Sequence, residues 1–79
     1  MKFSVTVTLK KDVLDPQGKV VQNTLQGLGM DGLKGIRQGK YFEIDINDTN
    51  HEKAEKKVDD MCKKLLANLI IEDYKIDKI

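Results

Sequence analysis

The sequence has very few of the residues that build crosslinks within a small domain. Its 79 residues include one cysteine, Cys62, one histidine, His51, and no tryptophan. A single cysteine cannot form an intrachain disulfide, and a single histidine lacks the further ligands that zinc requires. Because a domain this small buries only about 60% of the surface of its unfolded chain, its own stability is marginal. We therefore predict that the chain gains stability from a partner, most simply a second copy.

The chain also lacks a charge surplus and a long apolar run. Fourteen Lys and Arg against thirteen Asp and Glu give a formal net charge of +1, which argues against binding to nucleic-acid backbones. No apolar stretch approaches the roughly 20 residues needed to span a bilayer. Residues 1–7 alternate in polarity, unlike the continuous apolar core of a signal peptide. We therefore expect a cytoplasmic protein that binds neither nucleic acid nor membrane.

Alternation of apolar and polar residues predicts four strands. They are expected over residues 3–9, 33–38, 41–46 and 70–76. The first is the clearest, since its apolar positions are Phe3, Val5, Val7 and Leu9. Between the second and third strands, Gly39 and Lys40 are typical of a tight hairpin turn.

Helical spacing and capping residues predict two helices. Asp15 and Pro16 suit the N-cap and first position of a helix that ends near Gly29, a residue suited to a left-handed cap. Thr49 and Glu52 form a capping box at the start of the second helix. The second helix is expected to end at a left-handed Asn68, and its predicted apolar stripe consists of Ala54, Val58, Met61, Cys62, Leu65 and Leu69.

The resulting order, β-α-β-β-α-β, predicts an α+β fold of two layers. The sheet is expected to be mostly antiparallel, with both helices on one face. Residues 1–79 form a single domain, with an expected radius of gyration of about 12 Å.

Motifs of catalysis are incomplete in this sequence. His51 and Glu52 begin like a zinc-protease motif, but Glu55 stands where the second histidine is required. Cys62 falls on an apolar stripe without a neighbouring histidine, which indicates a core residue rather than a nucleophile. We therefore predict no catalytic residue, no metal site and no activity for the isolated chain. A stand-alone hydrolase is disfavoured on the same grounds.

Four blocks carry a family resemblance. They are residues 15–18 (Asp-Pro-Gln-Gly), 37–41 (Arg-Gln-Gly-Lys-Tyr), 61–68 (Met-Cys-Lys-Lys-Leu-Leu-Ala-Asn) and 71–74 (Ile-Glu-Asp-Tyr). In their order, their spacing and the total length, the chain closely resembles the PurS family, the small subunit of phosphoribosylformylglycinamidine synthase.

The resemblance implies a non-catalytic role in de novo purine biosynthesis. The complex would use ATP and glutamine to amidate formylglycinamide ribonucleotide, and this subunit would join a large synthetase subunit to a glutaminase subunit for ammonia transfer. It implies no cofactor in this chain, with ATP and Mg expected on the large subunit, and a homodimer or larger even-numbered assembly. A different class of protein, a small-molecule-sensing regulatory dimer of similar topology, remains an alternative.

Binding groups concentrate in loops and strand ends of rigid scaffolds, which selects the candidate partner-interface residues. Each also has a purely structural explanation: Asp15 as a helix cap, Gly39 as a turn residue and Tyr74 as a core residue. Arg37 and Lys40 could grip a phosphate or a partner's carboxylate. The full candidate set is Asp15, Pro16, Gln17, Gly18, Arg37, Gly39, Lys40, Glu72, Asp73 and Tyr74.

Overall fold

A computed structural model describes all 79 residues. It contains three strands, β1 (Lys2–Leu9), β2 (Gly39–Asp45) and β3 (Glu72–Lys78), and two helices, α1 (Pro16–Gly27) and α2 (His51–Met61). The strands form one sheet in the order β2-β1-β3. Both pairings are antiparallel. The predicted α+β class with an antiparallel sheet is confirmed.

The core lies between one face of the sheet and α2. Phe3, Val5 and Val7 alternate along β1 and are fully buried, as their period-2 spacing predicts. Ala54, Val58 and Cys62 of α2 pack on them. Half-buried side chains of β2 and β3, including Phe42, Ile44, Tyr74 and Ile76, complete the cluster.

The start of α2 differs by one residue from the predicted capping box. The N-cap is Asn50, whose side-chain oxygen accepts a hydrogen bond from the Lys53 N–H at 3.1 Å. The Thr49–Glu52 capping box is therefore wrong. Asparagine caps a helix at least as well as threonine, and here the N–H of Asn50 is itself held by Asp48 at 3.0 Å.

A π-helical turn over Cys62–Leu66 follows α2. The N–H of Ala67 bonds to the carbonyl of Cys62, five residues back, at 3.0 Å. The extra residue in this turn rotates the side chains, so Leu65 is 84% exposed while Leu66 packs against the core. The predicted core positions of Met61, Leu65 and Leu69 are wrong, because all three side chains are exposed.

Two further cap predictions have opposite outcomes. Gly29 has a φ of 96°, which confirms the left-handed residue after α1. The prediction of a left-handed Asn68 is wrong, because no residue other than glycine has a positive φ. Instead the carbonyl of Asn68 accepts hydrogen bonds from the N–H groups of Ile71 and Glu72, which closes the turn into β3.

Residues 33–38 form no strand, and Gly39 and Lys40 form no hairpin turn. Gly39 and Lys40 belong to β2, opposite Thr8 and Val7. Two side chains of the first helical region form hydrogen bonds with backbone groups of residues 33–38 that would otherwise be free to pair with a neighbouring strand. Gln26 donates to the Leu33 carbonyl at 3.0 Å, and Asp15 accepts from the Gln38 N–H at 2.7 Å. The segment is therefore held to α1 instead of to the sheet.

Together α1 and this segment form a projecting arm, residues 15–38. No residue of α1 belongs to the core cluster or packs against it, and only Gly18 of α1 is buried. The radius of gyration is 16.0 Å and the extents are 50 × 25 × 14 Å, against the compact radius of about 12 Å expected for this length. Only α2 covers the apolar face of the sheet, whereas the sequence pattern places both helices there.

Candidate functional site

Most of the predicted partner-interface residues meet at one cleft at the base of the arm. The cleft has a volume of about 300 Å³. It lies where the N-terminus of α1 faces the first residues of β2 and β3. Its lining comprises Val7, Leu9, Asp15, Pro16, Gln17, Gln38, Gly39, Lys40 and Glu72.

Asp15 joins the two ends of the arm. One carboxylate oxygen accepts the N–H of Gly18 at 2.9 Å and the other accepts the N–H of Gln38 at 2.7 Å. These two hydrogen bonds, with a smaller contribution from the charge of Arg37, hold the pKa of Asp15 below its ordinary value. The carboxylate is therefore an anionic clamp as well as the predicted helix cap.

Gly18 is required by close packing at the clamp. A Cβ built on Gly18 would lie 2.5 Å from the carbonyl oxygen of Ile36, a distance that real side chains do not tolerate. A second contact holds the two ends of the arm together, because the side-chain amide of Gln38 donates a hydrogen bond to the side-chain oxygen of Gln17 at 3.0 Å. The Asp-Pro-Gln-Gly block thus fixes the direction in which α1 leaves the sheet.

Arg37 binds backbone rather than an anion. Its guanidinium donates to the carbonyls of Lys10 at 2.9 Å and Val13 at 3.0 Å, with longer contacts to Leu9 and Lys11. The side chain therefore closes the turn between β1 and α1. A role of Arg37 in partner binding stays a prediction, and any such contact would use donors not already engaged here.

Lys40 and Glu72 form the charged wall of the cleft. They lie on the two outer strands, opposite Val7 and Leu9 of β1. The Lys40 ammonium is 3.6 Å from one oxygen of Glu72, and the other oxygen accepts the N–H of Asn68 at 2.7 Å. Because Lys40 is half exposed and its ion pair is loose, it retains donors for a carboxylate or carbonyl from a partner.

Asp73 and Tyr74 lie outside this cleft. Asp73 pairs with Lys10 at 2.8 Å. The hydroxyl of Tyr74 donates to Asp59 of α2, which raises the pKa of Tyr74 to about 12 and lowers that of Asp59. Tyr74 therefore connects β3 to α2, and the structure does not bring these two residues together with the other candidates.

Sequence reasoning missed Gln38, which contributes both its backbone N–H and its side-chain amide to the cleft. The available signal was its place in the 37–41 block, between two residues that were selected. Val7 and Leu9 were assigned to β1, but nothing local indicates that their strand forms the floor of a cleft.

No group of three or more His, Cys, Asp or Glu side chains is placed to hold a metal ion. Cys62 is fully buried, and burial raises the pKa of its thiol. No helix is both long enough and apolar enough to cross a membrane.

The fold and the cleft define a small α+β domain whose polar cleft lies at the base of a projecting helical arm. The family model for PurS, described as phosphoribosylformylglycinamidine (FGAM) synthase, matches residues 2–79. The chain therefore belongs to the PurS family, the small subunit of FGAM synthase in purine biosynthesis, which confirms the resemblance found in the sequence.

Curated relatives match over nearly their whole length. The chain is 42% identical to the PurS subunit of Methanocaldococcus jannaschii over 80 residues, covering 99% of this chain and 96% of the relative. It is 42% identical to the PurS subunit of Bacillus subtilis over 76 residues, covering 96% and 89% respectively.

Solved structures agree with the fold. Bacillus subtilis PurS superposes with a TM-score of 0.87 at 42% identity, covering 96% of this chain and 94% of that chain. A chain in the structure of PurLQS from Thermotoga maritima superposes with a TM-score of 0.90 at 29% identity, covering 99% and 95% respectively.

Proposed function

We propose that this chain joins the synthetase subunit and the glutaminase subunit of FGAM synthase, so that ammonia passes between them within a docked complex. The observation that carries the proposal is the superposition on a chain of the PurLQS structure, over 99% of this chain. The chain acts as a homodimer or a larger even-numbered assembly in the cytoplasm. ATP and Mg bind on the large subunit.

The chemistry of ammonia explains why a docking subunit is needed. Ammonia released into water at neutral pH is protonated and loses the lone pair that attacks the activated substrate. Transfer is therefore productive only while donor and acceptor sites are held together. A non-catalytic subunit accelerates such a reaction by proximity alone.

We propose that the cleft at the base of the arm is the surface that contacts a partner subunit. Its supporting features are the loosely paired Lys40 ammonium and the free donors of the Gln17 amide. They lie beside a backbone held rigid by Asp15. Rigid polar surfaces of this kind lose little conformational entropy on binding.

The test is reconstitution from the three separate subunits. Lys40→Ala should lower recovery of the synthetase and glutaminase subunits on this chain, and glutamine-dependent activity with it, by about tenfold or more. Lys56→Ala is the matched control, because Lys56 is an exposed lysine of α2 outside the cleft. Equal activity of both variants would remove the cleft from the interface. Failure of the unmodified chain to bind either subunit would overturn the proposed function itself.

A further inference from the structure

One carboxylate oxygen in the cleft accepts no hydrogen bond within the chain. It belongs to Glu72, whose side chain is only 13% exposed. One oxygen of Glu72 accepts the N–H of Asn68 at 2.7 Å. The other lies 3.6 Å from the Lys40 ammonium, beyond the range of about 2.7–3.2 Å for an N–H···O hydrogen bond. Because a largely buried acceptor is costly without a donor, this oxygen is placed to accept a hydrogen bond from a bound group.

Donors with unused hydrogens lie in the same cleft. The Lys40 ammonium is 53% exposed, and Glu72 is its only charged partner. The side-chain nitrogen of Gln17 is also available, because only the side-chain oxygen of Gln17 is engaged, by the Gln38 amide at 3.0 Å. All of these side chains line the same cavity of about 300 Å³. The cleft therefore presents an acceptor and donors side by side.

The charges of the lining select against an ionised group. The charged side chains that line the cleft are two carboxylates, Asp15 and Glu72, and one ammonium, Lys40. An incoming carboxylate would lie beside Asp15 and Glu72, and an incoming ammonium or guanidinium would lie beside Lys40. Like charges placed together in this way disfavour binding. A neutral group that both donates and accepts meets the three side chains without repulsion.

We infer that the cleft binds a primary carboxamide, supplied by an Asn or Gln side chain of a partner subunit. The carboxamide oxygen accepts from Lys40 and Gln17, and its nitrogen donates to the unused oxygen of Glu72. A primary carboxamide carries its acceptor and its two donors on one carbon, which suits an ammonium and a carboxylate oxygen 3.6 Å apart. The inference rests on the partner contact in the proposed function, and it names the group that the cleft binds.

The size and lining of the cleft favour a side chain as the source of the carboxamide. A volume of about 300 Å³ is at the lower limit for a small-molecule pocket. Val7, Leu9 and Pro16 supply apolar surface against which the aliphatic stem of a side chain packs. A free amino acid with the same amide would add an α-carboxylate to a lining that already holds two carboxylates.

The first test uses three small probes of nearly equal shape: propionamide, propionate and propylammonium. Each is titrated into the unmodified chain, and binding is followed by the NMR signals of the backbone amides of Gln17, Lys40 and Glu72. Propionamide should bind with a dissociation constant on the order of 10 mM. The other two should bind at least about tenfold more weakly. Signals that do not move with propionamide, or that move as readily with either ion, would overturn the inference.

The second test changes the acceptor. Glu72→Gln keeps the size of the side chain and an oxygen for Asn68, but it places a donor where the cleft needs an acceptor. It should weaken propionamide binding at least about tenfold. Glu43→Gln is the matched control, because Glu43 is an exposed glutamate of β2 outside the cleft, and it should bind propionamide within about twofold of the original chain. Equal dissociation constants for the two variants would show that Glu72 is not the acceptor.

L-glutamine tests the source of the carboxamide. It should bind the unmodified chain no more tightly than propionamide, because its α-carboxylate lies beside Asp15 and Glu72. Glutamine that binds at least about tenfold more tightly than propionamide would assign the cleft to a free ligand and overturn the partner side chain as the source.

Recovery of the partner subunits separates this inference from the proposed function. Glu72→Gln should recover less of the synthetase and glutaminase subunits than Glu43→Gln does. If Glu72→Gln recovers both subunits fully, no partner carboxamide occupies the cleft, while the docking role stands. If the unmodified chain recovers neither subunit, the proposed function fails, and the partner side chain fails with it even where propionamide binds.

Discussion

Asp15 accepts a hydrogen bond from the backbone N–H of Gln38, 23 residues further along the chain, at 2.7 Å. The bond closes the base of the arm, because residue 15 begins α1 and residue 38 immediately precedes β2. The same carboxylate caps α1 through Gly18. One side chain thus determines where the helix starts, where the strand starts and how far apart they lie.

The Asp15 clamp predicts a loss of stability in acid. Its pKa is lowered in the folded state by N–H donors that the unfolded chain lacks. Its contribution is therefore complete above the unfolded pKa of about 3.9 and is lost as the pH falls through the lower folded pKa. Asp15→Asn should lower the melting temperature at pH 7 by about 5 °C. The difference in melting temperature between Asp15→Asn and the original chain should shrink as the pH is lowered toward 2. A difference that stays constant from pH 7 to pH 2 would mean that the ionised Asp15 carboxylate does not stabilise the fold.

Two glycines of the same helix provide a matched pair. Gly18→Ala should destabilise the fold by about 1–3 kcal/mol, because the new Cβ meets the Ile36 carbonyl at 2.5 Å. Gly27→Ala should be neutral or stabilising by up to about 1 kcal/mol, since no atom lies within 4 Å of its Cβ. Urea denaturation of both variants measures the difference. Equal changes in the free energy of unfolding would mean that the base of the arm can accommodate a Cβ at residue 18.

The hydrogen bond from Tyr74 to Asp59 predicts an effect at alkaline pH. The bond raises the pKa of Tyr74 to about 12, so the neutral phenol is favoured by the fold. The contribution of this hydrogen bond to the stability of the fold is complete below the unfolded tyrosine pKa of about 10, and it is lost as the pH rises toward the folded pKa. Tyr74→Phe should therefore be less stable than the original chain at pH 7, and the two should converge by pH 12. Ultraviolet titration of the phenol should show one tyrosine ionising near 12, absent in the variant.

The parts of the fold that were predictable depend on local patterns. The alternation in β1 and the spacing of Ala54, Val58 and Cys62 specify which sides are buried, and the structure buries them. Residues 33–38 were not predictable in this way, because the competitor for the Gln38 N–H is a side chain far away in sequence. Leu65 was misplaced because a π turn adds one residue to a pattern that assumes 3.6 residues per turn.

The candidate site was predictable as a set of blocks but not as a cleft. Asp15, Lys40 and Glu72 were selected separately, from three different segments. Only the antiparallel pairing of β1 with both β2 and β3 brings them to one place. Asp73 and Tyr74 were selected together with Glu72, from the 71–74 block on the last strand, but their contacts are with Lys10 and Asp59 respectively.

The contacts of Arg37 change what its substitution should do. The sequence makes Arg37 a partner-binding candidate, for which charge reversal would leave the free chain unaffected. In the structure its guanidinium holds the carbonyls of Lys10 and Val13, so Arg37→Gln should destabilise the isolated chain by about 1–2 kcal/mol. Lys34→Gln, at an exposed position in the same segment, should change stability by less than about 0.5 kcal/mol.

Denaturation of the free chain and recovery of partner subunits then separate the two roles of Arg37. Arg37→Lys keeps the charge but loses the planar fork that reaches several carbonyls at once. If it unfolds as easily as Arg37→Gln, yet binds the partner subunits normally below its melting temperature, the side chain acts on the turn alone. If its stability matches that of the original chain while partner recovery falls, the carbonyl contacts are incidental, and Arg37 faces a partner as the sequence predicts.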